Sequence, residues 1–479
     1  MSRLVVVSNR LPSLRSGPNV GGPEAAAGGL APAVLAALRR HAGSSWCGWT
    51  GRVAQDDETE ALSQRIVRGV RFLGLPLTKV EVELYYNGYC NRTLWPLFHC
   101  FQDLVHVRLE EERAYRSVQR RFASAIAPQL RADDLLWVHD YHLLLFGREL
   151  REIGWTGRAG FFLHIPFPPL ELFTLLADPA DTLAALLEYD VVGFHVPRFA
   201  ENYVQAATRL LGAAWDGTHL RWRGRVQRVG AFPVGIDLAT FVPTPADLER
   251  SRRREVLGKV VGDRRVLVGV DRLDYTKGIT ERILAFEEFL RRSPEWRNRV
   301  VFLQIAAPSR THVRAYHERR RQVETLVSRV NGELGEHDWM PIRYLYRAYS
   351  QDFLSDLYRE ADAALITPLR DGMNLVAKEF VAAQDPEHPG TLVLSRTAGA
   401  AEELREAVLV NPFVQSDLAR GIHEALTMSE SERRRRHRAL FARVRAGTAE
   451  EWGRRFLGEL ERVGRITDPE APAPSVMTS

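Results

Sequence analysis

The sequence predicts an α/β protein that consists of two doubly wound domains facing a central cleft. Short runs rich in β-branched residues alternate with longer amphipathic stretches, a pattern typical of parallel sheets covered by helices. The 479 residues exceed what one hydrophobic core usually supports, so at least two domains are expected. A break containing Pro and Gly, AFPVGID at 231–237, divides the chain into halves of similar size.

The predicted strands are short apolar runs, as expected for parallel strands that are buried on both faces. They lie at 4–9, 135–140, 159–167, 191–196, 265–271, 299–306 and 363–368. Amphipathic patterns between them, including 31–41, 141–154 and 280–292, predict the covering helices. Ligands of such sheets bind beyond the carboxyl ends of the strands, so functional residues are expected where these runs end.

The break and the patterns around it set the expected domain boundaries. The N-terminal domain is predicted over 1–236 and the second domain over 237–448. A helix predicted at 449–466 could cross back to the N-terminal domain, and 467–479 has the composition of a disordered tail. No further domain is expected after that helix.

Composition and charge argue against several classes of protein. The formal net charge of +5 is small for this length, and the arginine-rich runs have acidic neighbours, so nucleic acid is not an expected partner. The three cysteines share no CxxC spacing, which argues against a disulfide scaffold or a zinc site. No segment suits a membrane span, and the N-terminus lacks signal-peptide features. A cytoplasmic protein without a membrane partner is expected, and a homo-oligomer stays open.

Polar residues follow two successive predicted strands. WVHDYH ends one strand with Asp140, and FFLHIP ends the next with His164, so both residues could lie at one edge of the sheet. A carboxylate there suits sugar hydroxyls, whereas a histidine beside prolines is often simply packed and hydrogen-bonded. No HExxH or DxD spacing occurs, so a metal site is not predicted.

Four cationic residues also follow predicted strands, a pattern that suits phosphorylated ligands. They are Arg10, Arg272, Lys277 and Arg310. Lys277 is one of only four lysines and precedes a glycine at a helix start, where backbone N–H groups can bind a diphosphate. A surface ion pair between Arg272 and Asp274 is the alternative. The segment AAAGGL, with Gly28 and Gly29, could be a phosphate loop or an ordinary turn.

The segment TPLRDGMNLVAKEF carries the most detailed signal. Asp371 lies in a turn after a strand, where it could bind sugar hydroxyls, and Asn374 begins a helix. The N–H groups of Leu375 and Val376 then belong to the first helical turn, which favours an anion. Glu379 follows one turn later on the same face, in a position to accept hydrogen bonds from a ribose diol. A capped helix without a ligand is the alternative.

The segment YYNGYCNRTLWP is predicted to form an aromatic loop. Its residues Tyr86 and Trp95 could pack against a sugar ring, because aromatic side chains combine an apolar face with a polar handle. Packing of both residues in the core is the alternative.

Taken together, these motifs resemble those of the trehalose-6-phosphate synthases, in the same order, over roughly residues 2–462. The resemblance implies a glycosyltransferase B fold, with two Rossmann-like domains facing a cleft. It implies transfer of glucose from UDP-, GDP- or ADP-glucose to glucose 6-phosphate, giving α,α-trehalose 6-phosphate and the nucleoside diphosphate. It further implies retention of configuration by a front-face reaction, in which the leaving phosphate acts as the base, without a metal or another cofactor.

The resemblance also implies a role for each matching residue. The acceptor would be bound by Arg10, Tyr86, Trp95, Asp140, Ile165 and Arg310. The donor would be bound by Gly28, Gly29, His164, Arg272, Lys277, Tyr349, Asp371, Gly372, Met373, Asn374, Leu375, Val376 and Glu379. The catalytic set would be Arg272, Lys277, His164, Asp140 and Asp371, with the two cations neutralising charge on the departing diphosphate.

Two other functions fit the same fold. A pseudo-glycosyltransferase would couple cyclitol phosphates through nitrogen, but the intact RDGMN segment favours a true sugar donor. A catalytically silent sugar-phosphate sensor would be expected to have lost Arg272, Lys277 or Asp371, and all three are present.

Overall fold

The structure is a computed structural model that divides the chain into two compact units. It describes residues 2–12, 30–38, 41, 43–54, 62–252, 255–310 and 313–463. The first unit contains the chain up to Pro12, Leu35–Pro233 and the chain from Gly453, whereas the second is built around Val234–Trp452. The predicted tail at 467–479 lies outside the described residues, as do Gly28 and Gly29.

The first unit has a sheet of ten strands in the described residues, ordered β3-β4-β2-β1-β5-β6-β7-β10-β9-β8. Its strands are β1 Leu4–Arg10, β2 Ser45–Ala54, β3 Ser63–Val67, β4 Val70–Thr78, β5 Leu135–His139, β6 Arg158–Phe162, β7 Val191–Phe194, β8 Ala214–Trp215, β9 His219–Trp222 and β10 Arg225–Ala231. Seven neighbouring strands from β4 to β10 pair in parallel, and antiparallel strands extend both edges.

Helices cover this sheet and connect its parallel strands. They are α2 Lys79–Glu81, a π-helix at Val82–Leu94, α3 Trp95–Phe98, α4 Leu109–Ile126, α5 Phe146–Glu152, α6 Leu170–Phe173, α7 Pro179–Leu186 and α8 Pro197–Leu211. Helix α1, Leu30–Leu38, is divided between the two units, and only its part from Leu35 belongs to the first. Strand β1 shows why the sheet forms, because Leu4, Val5, Val6 and Val7 are almost completely buried on both faces.

The second unit has a sheet of six parallel strands in the described residues, ordered β13-β12-β11-β14-β15-β16. Its strands are β11 Arg265–Arg272, β12 Val300–Ala307, β13 Ile342–Leu345, β14 Ala363–Ile366, β15 Thr391–Ser395 and β16 Val408–Val410. Its helices are α9 Pro245–Arg252, α10 Gly258–Val261, α11 Ile279–Arg292, α12 Arg314–Leu334, α13 Gln351–Glu360, α14 Leu375–Ala383, α15 Gln415–Thr427 and α16 Glu430–Ala446. The prediction of an α/β protein with mainly parallel sheets is confirmed.

Two predicted elements differ from the structure by more than two residues at one end or in their helix type. The strand predicted over 159–167 ends at Phe162, and it could not have continued as far as 167, because Pro166 lacks the N–H group that a sheet interior requires. The helix predicted over 141–154 is a single 3₁₀ turn at Tyr141–Leu143 followed by α5.

The last helix, α17 at Ala449–Arg462, contributes Phe456 to the core of the first unit. The Phe456 ring stacks on Trp137 of β5, with centroids 4.9 Å apart. A Cβ atom at Gly160 or Gly193 would come within 2.7 or 2.8 Å of that ring. Both positions therefore need glycine so that Phe456 can lie against strands β6 and β7.

Two kinds of feature are absent from the described residues. None of their helices has the length and apolar character that a bilayer crossing needs. Nor do the described His, Cys, Asp and Glu side chains form a group of three or more that could hold a metal ion.

Candidate active site

In the second unit, backbone hydrogen bonds join the loops that follow β11, β14 and β15. We call these segments, 273–278, 367–374 and 396–400, the strand-end loops. The N–H of Leu369 donates to the carbonyl oxygen of Thr276 at 2.8 Å, and the N–H of Asp371 donates to that of Thr397 at 3.3 Å. The N–H of Gly399 donates in return to the carbonyl oxygen of Asp371 at 3.3 Å. The three loops therefore form one connected surface at the carboxyl edge of the sheet.

Gly278 allows the first two strand-end loops to touch. Its φ of +64° lies in the left-handed region, and a Cβ atom there would lie 2.3 Å from the carbonyl oxygen of Thr367. This close approach brings Lys277 to Asp371, with Nζ 2.5 Å from Oδ2. Asn374 donates from Nδ2 to the same carboxylate oxygen at 3.1 Å. Lysine and carboxylate are only 11% and 13% exposed, so this charged pair is largely withdrawn from water.

Helix α14 begins directly after this pair. Asn374 precedes it in a left-handed conformation, with φ of 73°, and makes no side-chain cap hydrogen bond. The Oδ1 atom of Asn374 is buried and finds no partner among the described residues. Leu375 and Val376 form the first turn of the helix, where N–H groups and the helix dipole favour an anion. The predicted helix start is thus confirmed, but Asn374 does not cap it.

Burial raises the pKa of Glu379, one turn further along α14, to about 7. The hydroxyl of Tyr358 donates to its Oε2 atom at 3.4 Å, which opposes the rise only in part. The carboxyl group of Glu379 therefore changes charge near neutral pH.

The predicted donor residues Gly372 and Met373 are buried in the loop before the helix.

A second ion pair involves Asp274 at the start of the first strand-end loop. Arg310, which follows β12, donates from Nη1 to Asp274 Oδ2 at 2.8 Å, and the Tyr316 hydroxyl donates to the same oxygen at 2.8 Å. Burial alone would raise the pKa of Asp274, but Arg310, Arg272 and Lys277 outweigh it and hold the pKa well below its usual range. The alternative of a surface Arg–Asp pair is wrong, because Asp274 is buried among three cations.

Tyr349, the residue proposed near the nucleotide base, lies two residues before α13. Its ring stacks on Phe353 with centroids 4.4 Å apart and planes at 16°. The Arg347 guanidinium lies 4.6 Å from the centroid of the Tyr349 ring. The ring is partly exposed and held between an aromatic face and a cation.

In the first unit, Arg10 belongs to a set of side chains at the end of β1 that we call the aromatic cluster, namely Arg10, Trp49, Tyr86 and His142. The Arg10 guanidinium lies 5.3 Å from the Trp49 ring centroid. Tyr86 packs on Trp49 at 5.7 Å and stacks on His142 at 5.9 Å. Gly51, with φ of +82°, makes room for Arg10, since a Cβ atom there would lie 2.6 Å from Nη2. The cluster combines one cation with three ring faces.

Tyr86 and Trp95 were predicted in a loop, and this is wrong. Tyr86 lies within the π-helix Val82–Leu94, and Trp95 begins α3 directly after it. Trp95 is buried against His99, at 4.1 Å between ring centroids, and Tyr141, at 5.7 Å. π-Helical segments are uncommon and occur often at functional sites, because they redirect side chains that a regular helix would place elsewhere.

Asp140 and His164 meet at the carboxyl edge of the first unit's sheet, as predicted from their strands. Asp140 has a φ of 76°, unusual for a residue with a side chain. Its Oδ1 atom accepts hydrogen bonds from the N–H groups of Tyr141, at 3.0 Å, and His164, at 3.3 Å. Ile165 follows His164 and is almost fully buried. The carboxylate therefore lies between the ends of β5 and β6.

His164 is also part of a histidine pair. Its Nε2 atom lies 3.0 Å from Nδ1 of His139, so one ring donates a proton and the other accepts it. Burial lowers the pKa of both imidazoles well below the usual value, and the neighbouring histidines, including His195, lower it further. The pair is therefore neutral at physiological pH.

The described candidate residues fall into two groups, one in each unit. The first unit holds Arg10, Tyr86, Trp95, Asp140, His164 and Ile165. The second holds Arg272, Lys277, Arg310, Tyr349, Asp371, Gly372, Met373, Asn374, Leu375, Val376 and Glu379.

Comparison with known proteins decides the family. The family model described as glycosyltransferase family 20 matches residues 2–462. The chain belongs to glycosyltransferase family 20. This confirms the resemblance seen in the motifs, and the chain is accordingly a glycosyltransferase.

Similar proteins agree with this family. The chain is 41% identical over 461 residues to a trehalose-6-phosphate synthase of Sinorhizobium fredii, covering 96% of this chain and 98% of the relative. It is 44% identical over 472 residues to a bifunctional trehalose-6-phosphate synthase/phosphatase of Thermoproteus tenax, covering 96% of this chain but only 63% of that relative.

A solved structure of a family 20 relative has the same fold. The crystal structure of a UDP-forming α,α-trehalose-phosphate synthase from Burkholderia xenovorans in complex with glucose-6-phosphate aligns with a TM-score of 0.91 at 38% identity. The match covers 96% of this chain and 100% of that one. The predicted glycosyltransferase B fold is confirmed for this family 20 chain.

Sequence reasoning missed three residues that contact these groups: Trp49 packs on Arg10, Asp274 pairs with Arg310, and Arg282 donates to the carbonyl oxygen of Lys277. Trp49 lies in SWCGWTGRVA, where glycines hide the strand pattern. Asp274 looked like a surface residue because the segment DRLDYTKG is rich in charged residues. Arg282 lies on the apolar face of α11 and is buried, a charge on a face of isoleucines and phenylalanines. A charged residue on the apolar face of a predicted helix is the signal that could have identified Arg282 from the sequence.

Proposed function

We propose that the chain transfers glucose from a nucleoside-diphosphate glucose to glucose 6-phosphate, giving α,α-trehalose 6-phosphate and the nucleoside diphosphate. The observation that carries this proposal is the Lys277–Asp371–Asn374 group at the N-terminus of α14. The S. fredii relative is a trehalose-6-phosphate synthase, and the B. xenovorans relative is a UDP-forming synthase that was crystallised with glucose-6-phosphate. UDP-glucose is therefore the first donor to test, followed by GDP- and ADP-glucose.

In this proposal the donor diphosphate binds at the first turn of α14. The N–H groups of Leu375 and Val376 donate to it, and Arg272 and Lys277 neutralise the charge that develops as the glycosidic bond breaks. Glu379 accepts hydrogen bonds from the ribose, and the Tyr349 ring lies beside the base. Asp371 and His164 contact the hydroxyl groups of the donor glucose.

The acceptor is proposed to bind through its phosphate and its hydroxyl groups. Arg10 and Arg310 attract the 6-phosphate, and Tyr86 donates to it. Asp140 accepts hydrogen bonds from the sugar, while Trp95 and Ile165 shape an apolar wall. Trp49 supports the acceptor site because it holds Arg10 and Tyr86 on its ring.

We propose that configuration is retained by a front-face reaction. The anomeric hydroxyl of the acceptor attacks C1 on the face that the diphosphate leaves, and its proton passes to the departing phosphate oxygen. The C1–O bond to phosphate breaks as the new C1–O bond forms. The engaged state of Asp371 supports this route, because Lys277 and Asn374 already occupy its Oδ2 atom and make it a poor nucleophile.

The test is release of nucleoside diphosphate from each donor, with glucose 6-phosphate and EDTA present. Proton NMR of the purified product would identify α,α-trehalose 6-phosphate and its anomeric configuration. Turnover with EDTA would support a reaction without a divalent metal. No release from any donor would overturn the proposal, and release only with a cyclitol phosphate would favour the pseudo-glycosyltransferase.

A further inference from the structure

Arg282 of α11 is a buried charge that makes four hydrogen bonds to different elements. It is 1% exposed and lies on the apolar face of the helix. Its Nη1 atom donates to Asp271 Oδ2 at 2.6 Å and to Gln304 Oε1 at 2.9 Å. Its Nε atom donates to Thr367 Oγ1 at 2.9 Å, and its Nη2 atom donates to the carbonyl oxygen of Lys277 at 3.1 Å.

Three of the four partners lie at the carboxyl edge of the second unit's sheet, and the fourth, Gln304, lies within β12. Asp271 precedes Arg272 at the end of β11, and Lys277 lies in the first strand-end loop, just before Gly278. Thr367 directly follows β14 and begins the loop that carries Asp371. A planar guanidinium with donors at fixed angles therefore sets the spacing between the loops of Lys277 and Asp371.

The strands make room for this arrangement. Gly269 of β11 has no side chain, and a Cβ atom there would lie 2.6 Å from Arg282 Nη1 and 2.5 Å from Gln304 Oε1. Gln304 is in turn held by its Nε2 atom, which donates to the carbonyl oxygens of Gly269 and Ile305. The pocket around the guanidinium thus has a defined shape, and its acceptors are themselves fixed.

Fold stability alone does not account for Arg282. A buried ion pair repays the loss of hydration only partly, and well-packed apolar residues often serve stability as well or better. Arg282 instead directs two of its donors to the strand-end loops themselves. We propose that Arg282 is a positioning residue for the donor diphosphate, which acts by holding Lys277 against Asp371; this rests on the proposed function.

The variant that tests this is Arg282→Lys. Lysine keeps a positive charge beside Asp271 but is a point charge, and it cannot reproduce the fork to Thr367 and the Lys277 carbonyl. The matched control is Arg359→Lys in α13, because Arg359 is also buried and bonds to Asp356 and Ser355. Both variants keep the net charge and add one lysine.

The scarcity of lysine gives a readout that does not depend on activity. The chain has only four lysines, so ¹³C-labelled lysine yields a simple spectrum, in which loss of a signal in Lys277→Ala assigns Lys277. We expect Arg282→Lys to shift the Lys277 ε-CH₂ signal and Arg359→Lys to leave it in place. An unmoved Lys277 signal in folded Arg282→Lys would overturn the proposal.

Kinetics provide the second readout. Arg282→Lys is expected to lower kcat by about tenfold to a hundredfold, since small displacements of catalytic groups have effects of this size, with little change in KM for glucose 6-phosphate. In a Lys277→Ala background the same substitution should lower kcat by less than about twofold, because the lysine through which Arg282 acts is absent. An equal loss in both backgrounds would show that Arg282 does not act through Lys277.

Two further measurements distinguish a variant that fails to fold from a failure of the proposed function. If Arg282→Lys does not fold, Thr367→Val removes one bond of the fork, and the Lys277 signal is expected to move in the same direction by a smaller amount. An unmoved signal there overturns the proposal. If the wild-type chain releases no nucleoside diphosphate from any donor, the proposed function fails, while the lysine spectrum still decides whether Arg282 positions Lys277.

Discussion

The carboxyl edges of the two sheets carry different chemistry. In the second unit, charges are paired and withdrawn from water, as in Lys277 with Asp371 and Arg310 with Asp274. In the first unit, the side chains are mainly aromatic or neutral, with stacked rings around Arg10 and a neutral histidine pair. The difference fits the two tasks proposed above, since the proposed diphosphate site must stabilise charge and the proposed acceptor site must recognise the shape of a sugar ring. Substitutions on each side should therefore affect different kinetic constants.

The largest effect is expected from Lys277→Ala. Loss of a cation from the proposed leaving-group site should lower kcat by roughly a hundredfold to a thousandfold, with KM for glucose 6-phosphate changed less than about twofold. Steady-state rates of nucleoside diphosphate release measure both constants. Lys79→Ala is the control, because that lysine is exposed at the start of α2. Normal turnover in Lys277→Ala would show that Lys277 does not stabilise the departing diphosphate.

Arg10→Gln should act on the other side. Loss of the proposed charge-assisted hydrogen bond to the 6-phosphate should raise KM for glucose 6-phosphate by about tenfold to a hundredfold, while KM for the donor stays nearly constant. The control is Arg52→Gln, since Arg52 is exposed in β2, the strand that pairs with β1. A donor KM that rises in parallel would show that the two regions do not divide their tasks in this way.

Glu379 gives a pH test of the charged region. Its pKa is raised from the unfolded value to about 7, so the folded chain holds this proton more tightly than the unfolded chain does. The free energy of unfolding should therefore fall as pH rises from about 5 to 7 and then level off. Between pH 5 and pH 8, the free energy of unfolding of Glu379→Gln should rise by about 1–3 kcal/mol relative to that of wild type. Urea titrations at each pH measure this difference. A difference between the two proteins that does not vary with pH would contradict the raised pKa.

The smallest effect is expected from Trp49→Leu. Leucine fills part of the space but offers no ring face to Arg10 or Tyr86, a loss of about 0.5–1 kcal/mol. KM for glucose 6-phosphate should rise about twofold to fivefold, with kcat nearly unchanged. Trp155→Leu, which removes a ring contact to Arg151 elsewhere in the first unit, is the control. An equal KM for glucose 6-phosphate in Trp49→Leu and wild type would show that Trp49 does not support acceptor binding.

Much of this arrangement could be predicted because local patterns determine it. Alternating apolar runs predicted the strands, and polar residues at their ends predicted Asp140, Lys277 and Asp371 as neighbours of the sheet edge. The burial of Asp274 could not be predicted, because it depends on Arg310, which lies 36 residues away in the chain. The π-helix around Tyr86 could not be predicted for another reason. Its hydrogen bonds span five residues where those of an α-helix span four, and this change leaves no clear periodic pattern in the sequence.

The place of Phe456 has a consequence for synthesis on the ribosome. The sheet that it covers is complete at Pro233, yet Phe456 is translated more than 200 residues later. At about 5–20 residues per second, that interval lasts roughly ten to forty seconds. Throughout it, Gly160 and Gly193 lack the ring that covers them in the finished structure, so the core of the first unit, although its sheet is made first, cannot be completed until α17 has been translated.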